Sequence, residues 1–415
     1  MSGPFTGLRV IEFGQHIAVP YCAQLLADGG ADVIKVEPLD GDPSRRNGQV
    51  IPGESRQFFN KNRGKRSLAV DLHQPEVLKA IQTLVRRADV VLANFRPGQA
   101  ERLRLDYDAI AAINPGVIYA ENTAFGERGP MAGTAGMDMV MQAYAGLATV
   151  TPAGPQPLED PIVDYGAALL LAWGVATALY HRERTGQGQK VGTALLQAAL
   201  LLQNNHMNHI DAIDGWREQF VGYLRTAFAS GQTWPEVIEH RQALQPHAFA
   251  KAYYGFFPTQ DGTVAIAAAG RPNQRRLLNL LHLQDRWVTE PGWIPEDAAA
   301  HGEKTYGQVV AALRGRPAKH WIEQFSAAGI PVAPVRLREE LLDDEQAWAN
   351  EFLTRLEHDL VGGMTVVSPP VRFSVTPLEA RKASPALGHD TLEILREAGL
   401  EDEAIAQLVD QGAVR

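Results

Sequence analysis

The chain of 415 residues carries a formal charge of −9, with 45% hydrophobic and 21% charged residues. That is globular composition, at a length suggesting two domains with a core needing neither disulfide nor metal staple. One cysteine, Cys22, excludes an internal disulfide and argues against a Cys-based zinc site; the acidic balance argues against a nucleic-acid partner, and a reducing cytoplasm is the expected compartment.

The N-terminal MSGPFTGLRVIEF has no basic region leading into an apolar stretch, so no secretory signal is expected. Leu8–Phe13, Asp32–Val36, Ser67–Asp71, Asp89–Phe95 and Gly116–Glu121 read as buried strands, with helical patterns such as Tyr21–Ala27 and Pro75–Arg87 between them. The alternation predicts βαβ units, hence an α/β fold: a parallel sheet with helices on both faces and ligands at the carboxyl ends of its strands. The most apolar run, Ala167–Tyr180, is shorter than the roughly 20 residues of a bilayer span, so it reads as a buried helix with no membrane partner. Residues 209–250 lack a clear period and read as a linker with helical pieces, following residues 1–208 of the large domain. Residues 251–335 read as a small α+β domain, in which Tyr253–Phe257 and Thr263–Ala268 flank the turn dipeptide Asp261-Gly262. Helical runs Gln274–Leu283 and Tyr306–Arg314 follow. Within 336–415 a strand is predicted at Val371–Val375 and helices at Thr391–Ala398 and Glu403–Gln411, packing back on the large domain.

Several motifs are missing. The first strand runs into Gly14-Gln15-His16-Ile17-Ala18 without G-x-G-x-x-G, and neither a P-loop nor G-x-S-x-G occurs. The basic segment Asn60–Arg66, with Arg45 and Arg46 upstream, reads either as a solvated loop or as a phosphate-binding rim. Asn94-Phe95-Arg96-Pro97-Gly98, with Arg102 beyond, is an ordinary strand-to-helix turn or an anion site whose Phe95 could stack on a planar ring. Asp164, ahead of Tyr165-Gly166-Ala167-Ala168, is a helix N-cap or a nucleophile, and a helix N-terminus would keep it ionised. Asp138 carries the same ambiguity. His206, His209 and His240 have no metal spacing, and Cys22 reads as a small core residue. Tyr253, Tyr254, Phe256 and Phe257 form a strand core or the floor of a pocket.

Taken in order, GLRVIEFGQHIAVPYCAQLLADGGADVIKVEP, GDPSRR, NKNRGKRSLAVDL, ADVVLANFRPG, INPGVIY, GMDMVMQAYAGL, PIVDYGAALLLAWGVATALYHRERTGQGQKV, AGIPVAPV and LGHDT resemble the class III coenzyme A transferases. The resemblance covers essentially the whole chain. It implies a Rossmann-like large domain built from both chain ends, an inserted small α+β domain, and an interlocked homodimer. It further implies transfer of CoA from an acyl-CoA donor to a carboxylic acid acceptor, with acyl-CoA as substrate and no prosthetic group. Asp164 matches the family's catalytic aspartate, which passes through an acyl anhydride and an aspartyl-CoA thioester. Ile17 and Ala18 match residues along the CoA thiol arm, and Val70, Asp71 and Leu72 a segment touching adenosine. Asn94, Phe95 and Arg96 match the nucleotide-binding turn, Arg102 a phosphate contact, and Ala135, Gly136, Met137 and Asp138 the segment beside the thioester.

Three departures qualify the match. Pro38 stands where some members carry an arginine that contacts adenine, and Ala267-Ala268-Ala269-Gly270 keeps one glycine of the loop found in formyl-CoA transferase. The racemases of the same fold place a histidine before the aspartate that matches Asp138, and here Met137 stands there. Exchange on both faces of an α-carbon needs two acid/base groups, so this weakens the alternative of an acyl-CoA racemase or isomerase. A catalytically silent CoA-binding protein is the third reading. The acid pocket is expected in residues 209–335.

Overall fold

The computed structural model describes residues 3–151, 154–245 and 249–415; residues 246–248 of the expected linker lie outside these. Residues 3–211 and 345–415 form one compact unit, and residues 212–344 a second.

The first unit is built on period-two alternation. In β1 (Arg9–Phe13), Val10 faces one core while Ile11 and Phe13 face another, and β2 (Asp32–Glu37) repeats this with Val33 against Ile34 and Val36. A minor hairpin, β3 (Gln49–Ile51) and β4 (Glu54–Ser55), precedes β5 (Arg66–Ala69). Alternation returns in β6 (Val90–Ala93) and β7 (Ile118–Thr123). A second hairpin, β8 (Thr149–Thr151) and β9 (Gly154–Gln156), comes before β10 (Gln189–Ala194). Six strands form one parallel sheet in the order β10-β7-β6-β1-β2-β5. This is the doubly wound arrangement, and its switch point lies between β1 and β6.

Helices cover both faces. α1 (Ala18–Asp28) and α7 (Ile162–Thr185) supply Val19, Cys22, Leu26, Ala168, Leu171 and Val175 to one core. α3 (Pro75–Arg86) and α5 (Tyr107–Ile113) line the other, joined by Ile394, Leu395, Ile405 and Leu408 from the C-terminal helices Thr391–Glu397 and Asp402–Asp410. Each such aliphatic side chain contributes about 1.5–3 kcal/mol by leaving water. Shorter helices α2 (Arg56–Asn62), α4 (Gln99–Leu103), α6 (Asp138–Tyr144) and α8 (Leu195–Leu202) sit around the sheet's ends.

Two expectations are corrected. Val371–Val375 is not a strand: Pro369 and Pro370 ahead of it lack ladder donors, and its apolar residues remain exposed. The tail's strands are instead Leu353–His358 and Gly362–Val367, paired antiparallel. The apolar run at Ala167–Tyr180 belongs to a longer helix: α7 has 24 residues, enough by length and composition to cross a membrane. One face of α7 is nonetheless committed to the protein core, while Trp173, 71% exposed, lies on the opposite face.

The second unit holds helices Gly215–Ala227 and Trp234–Leu244 and a three-stranded antiparallel sheet of Tyr254–Pro258, Thr263–Ala267 and Val332–Pro334. Alternation divides the aromatic cluster: Tyr253 and Phe257 are core, whereas Tyr254 and Phe256 are 61% and 69% exposed.

Candidate active site

At the switch point the turns after β1 and β6 are tied together. The Gln15 amide donates to Asn94 Oδ1 at 2.9 Å, and Asn94 Nδ2 donates to the Gln15 carbonyl at 2.9 Å. Asn94 thus fixes one turn against the other, at the sheet end where the parallel pairing of β1 with β6 already places Ile17 and Ala18 beside Phe95 and Arg96. Phe95 is half-buried, its ring 5.3 Å from that of Phe13, while Arg96 and Arg102 are exposed. Gly98 caps α4 at φ 75°, a left-handed conformation that glycine adopts freely.

The β1–α1 turn is also held from beneath by buried charge. Lys35 Nζ donates to the Gly14 carbonyl at 2.7 Å and pairs with Glu12 at 3.0 Å and Asp42 at 2.9 Å. Asp42 in turn accepts the His16 amide at 3.2 Å. Neither reading of the basic segment describes what forms. Arg63 pairs with Asp28 at 2.7 Å, Lys65 with Glu12 at 2.7 Å, and Arg66 with Asp32 at 2.8 Å. Arg45 is buried against Glu37 at 2.8 Å and Glu54 at 2.6 Å, with its guanidinium 3.5 Å from the centre of the Phe58 ring. These cations have internal carboxylate partners because an unpaired charge is costly to bury.

Val70, Asp71 and Leu72 follow β5. The Val70 amide donates to the Glu37 carbonyl at 2.9 Å and the Asp71 amide to the Ala413 carbonyl at 2.9 Å, while Leu72 packs on the core. The Asp71 carboxyl is held below its usual range by the His73 amide, which donates to it at 2.9 Å.

Asp164 lies in the first turn of α7, but it is not the cap. Asp138 is: its Oδ2 accepts the amides of Val163 at 2.8 Å and Asp164 at 2.9 Å, while Oδ1 accepts from Gln142 Nε2. Asp138 is 7% exposed, and Ala135–Met137 lead into it across the end of β7. A side chain at Gly136 would meet Ala124 Cβ and Met141 Cε, each at 2.8 Å, so close approach requires glycine there. Because Asp138 takes up the amides of the helix terminus, the Asp164 carboxylate accepts no hydrogen bond among the described residues. The expectation that the terminus keeps Asp164 ionised is therefore corrected. Burial first, then the charge of Asp138, pushes its carboxyl up to about 7, against an opposing pull from Lys61.

The surrounding walls are close-packed. Ala18, Met141, Val163, Ala167 and Ala198 share one apolar cluster, placing the α1 terminus beside Asp164. Tyr165 meets Tyr21 edge-on at 5.0 Å, and Lys61 Nζ stands 5.9 Å from the centre of the Tyr165 ring. Lys61, Gln142 and Tyr21 join the site from separate helices, and no sequence motif links Lys61 or Tyr21 to Asp164. For Gln142 there was a local signal, its position four residues after Asp138 on one helix face. No group of three metal-binding side chains converges among the described residues.

The chain has relatives among known proteins. The chain is 31% identical to an acyl-CoA transferase of Fusarium pseudograminearum, covering 100% of this chain and 89% of that protein. It is 30% identical to succinate–glutarate CoA-transferase of Agrobacterium fabrum, covering 95% of each. A crystal structure of the CAIB/BAIF family from Brucella suis superposes with a TM-score of 0.74 at 26% identity, covering 96% of this chain and all of that one. Residues 5–391 match the model of CoA-transferase family III, and to that family the chain belongs.

Proposed function

We propose that this CoA-transferase carries CoA from an acyl-CoA donor to a carboxylic acid acceptor through covalent intermediates on Asp164. One observation carries the reading: Asp164 projects from a helix terminus capped by Asp138, which leaves its carboxylate free of donors. A carboxylate without hydrogen bonds, in a partly desolvated setting, is a better nucleophile than a solvated one. Asp164 attacks the donor thioester, giving an acyl–aspartyl anhydride and CoA thiolate. Thiolate attack on the aspartyl carbonyl releases the donor acid and leaves an aspartyl-CoA thioester. The acceptor carboxylate then attacks that thioester, and the returning thiolate takes the acyl group and restores Asp164.

Ile17 and Ala18 are assigned to the pantetheine arm, Asn94–Arg96 and Arg102 to the nucleotide, Val70–Leu72 to adenosine, and Ala135–Asp138 to the thioester. The sheet's switch point supports this, since ligands of doubly wound sheets sit there. The proposed setting is cytoplasmic. A second copy of the chain is the proposed partner, covering apolar surface such as Trp173, Leu201 and Leu202. Met137 has no exchangeable acid/base proton, which favours transfer over racemisation.

The test is trapping. Incubation with a panel of acyl-CoA donors and hydroxylamine should leave a hydroxamate on the Asp164 peptide by mass spectrometry, and Asp164→Ala should abolish both hydroxamate and transfer. Full transfer by Asp164→Ala would sink the proposal.

A further inference from the structure

The buried cations of the large unit share a rule with one exception. Lys35, Arg45, Arg63 and Lys65 each have a carboxylate within ion-pairing distance. Lys61 is just as deeply placed, at 4% exposed, yet no carboxylate lies within that distance among the described residues. Its ammonium donates one hydrogen bond, to the Gln57 carbonyl at 3.1 Å, one turn back in its own helix. It stands over the ring of Tyr165, the neighbour of Asp164 in sequence, and the charges that act on it are those of Asp164 and Asp42. An ammonium has three donors, so this group is under-used. Burying it half-satisfied is costly unless something else meets it there.

We propose that Lys61 binds the carboxylate of the acceptor acid beside Asp164 as it attacks. The inference rests on the reading of Asp164 as the nucleophile. Charge bookkeeping supports it. When the acceptor carboxylate attacks the aspartyl-CoA carbonyl, a C–O bond forms and the C–S bond breaks, so one anion enters and one thiolate departs. When the thiolate attacks the acyl carbonyl of the anhydride, a C–S bond forms and the C–O bond to Asp164 breaks, returning one carboxylate. No proton moves in either step. The chemistry therefore asks for a fixed cation rather than an acid or base, and for one that offsets the repulsion the acceptor carboxylate meets from Asp138 while Asp164 is held as its thioester. An unpaired ammonium on a helix, steadied by an aromatic face, has that character.

The experiment separates charged from uncharged acceptors. At pH 8.5 the acceptor KM is measured for acetate, oxalate and glutarate with whichever donor of the acyl-CoA panel gives most hydroxamate, beside the rate of Asp164 hydroxamate formation with hydroxylamine, which is uncharged at that pH. In Lys61→Met the carboxylate KM should rise on the order of 10- to 100-fold, the loss of one charge-assisted hydrogen bond. Hydroxamate formation should stay within threefold of the parent, which also shows that the variant is folded. Lys61→Arg should recover most of the loss. A Lys61→Met KM within twofold of the parent overturns the proposal, and so does hydroxamate formation that falls in step with transfer. Absence of hydroxamate from the parent with every donor of the panel overturns the nucleophile reading itself, and this inference with it.

Discussion

Asp138 Oδ2 accepts the backbone amide of Asp164 at 2.9 Å, so one carboxylate anchors the backbone that carries the other. The same contact that positions Asp164 also places a negative charge against it. Asp138→Asn keeps an acceptor for the cap and removes the charge. The acid limb of the pH profile of kcat/KM for acyl-CoA, set near pH 7 by Asp164, should therefore move to lower pH in that variant. A pH–rate series on both proteins checks this; an unmoved limb contradicts it.

Asp138→Ala removes the cap altogether. The amides of Val163 and Asp164 lose their acceptor, and Gln142 loses its partner. The expected cost is about 2–3 kcal/mol, from a lost cap and unsatisfied buried groups. Urea denaturation at fixed pH measures it.

Asp164 should make stability fall as pH rises. Its carboxyl titrates at about 7 in the folded chain, and near the ordinary value of about 4 when unfolded. Between these values the folded state holds the extra proton, so stability is fully present below about pH 4 and is lost towards pH 7. Asp164→Asn removes that penalty. After allowance for partial exposure the variant should be about 1–2 kcal/mol more stable than the parent at pH 8, and equal to it near pH 4. Thermal melts across that range decide the matter.

Asn94→Ala unties the turns after β1 and β6 by deleting both hydrogen bonds to Gln15. Two such bonds contribute about 1–2 kcal/mol to holding the switch point open for ligand, so CoA should bind about tenfold more weakly. Titration calorimetry with CoA tests this, with Tm as the control for global folding.

Arg45 is a folding determinant rather than a phosphate ligand. Arg45→Met leaves the buried carboxylates of Glu37 and Glu54 without their main counter-charge, at a cost of about 3–5 kcal/mol. The variant should lose soluble yield or Tm before any selective loss of CoA affinity.

What could be read from the sequence followed the range of the interactions involved. The strands at Ile11, Ile34, Val91 and Tyr119 announce themselves because apolar residues recur locally, and the sheet follows from their alternation with helices. β10 was not legible: its sequence QKVGTA has no apolar run, since it lies at the sheet's edge. The family's ordered segments directed attention to Asp164 and Asp138, but which one caps α7 was hidden. The two are 26 residues apart, and a cap supplied from another helix leaves no local pattern. The Asn60–Arg66 segment misled for a similar reason. Its partners Asp28, Glu12 and Asp32 come from distant strands and helices, so charge density alone resembled a surface.

The pairing of residues 69–71 with 413–415 carries a consequence for synthesis. The Ala69 amide is met by Thr391 Oγ1 across 322 residues of sequence, and Val70 bridges Val414. On the ribosome, residues 69–71 therefore wait for residues 413–415 before this edge strand is sealed. Until then the β5 edge is an open template for pairing with other nascent chains, a period in which aggregation competes with folding.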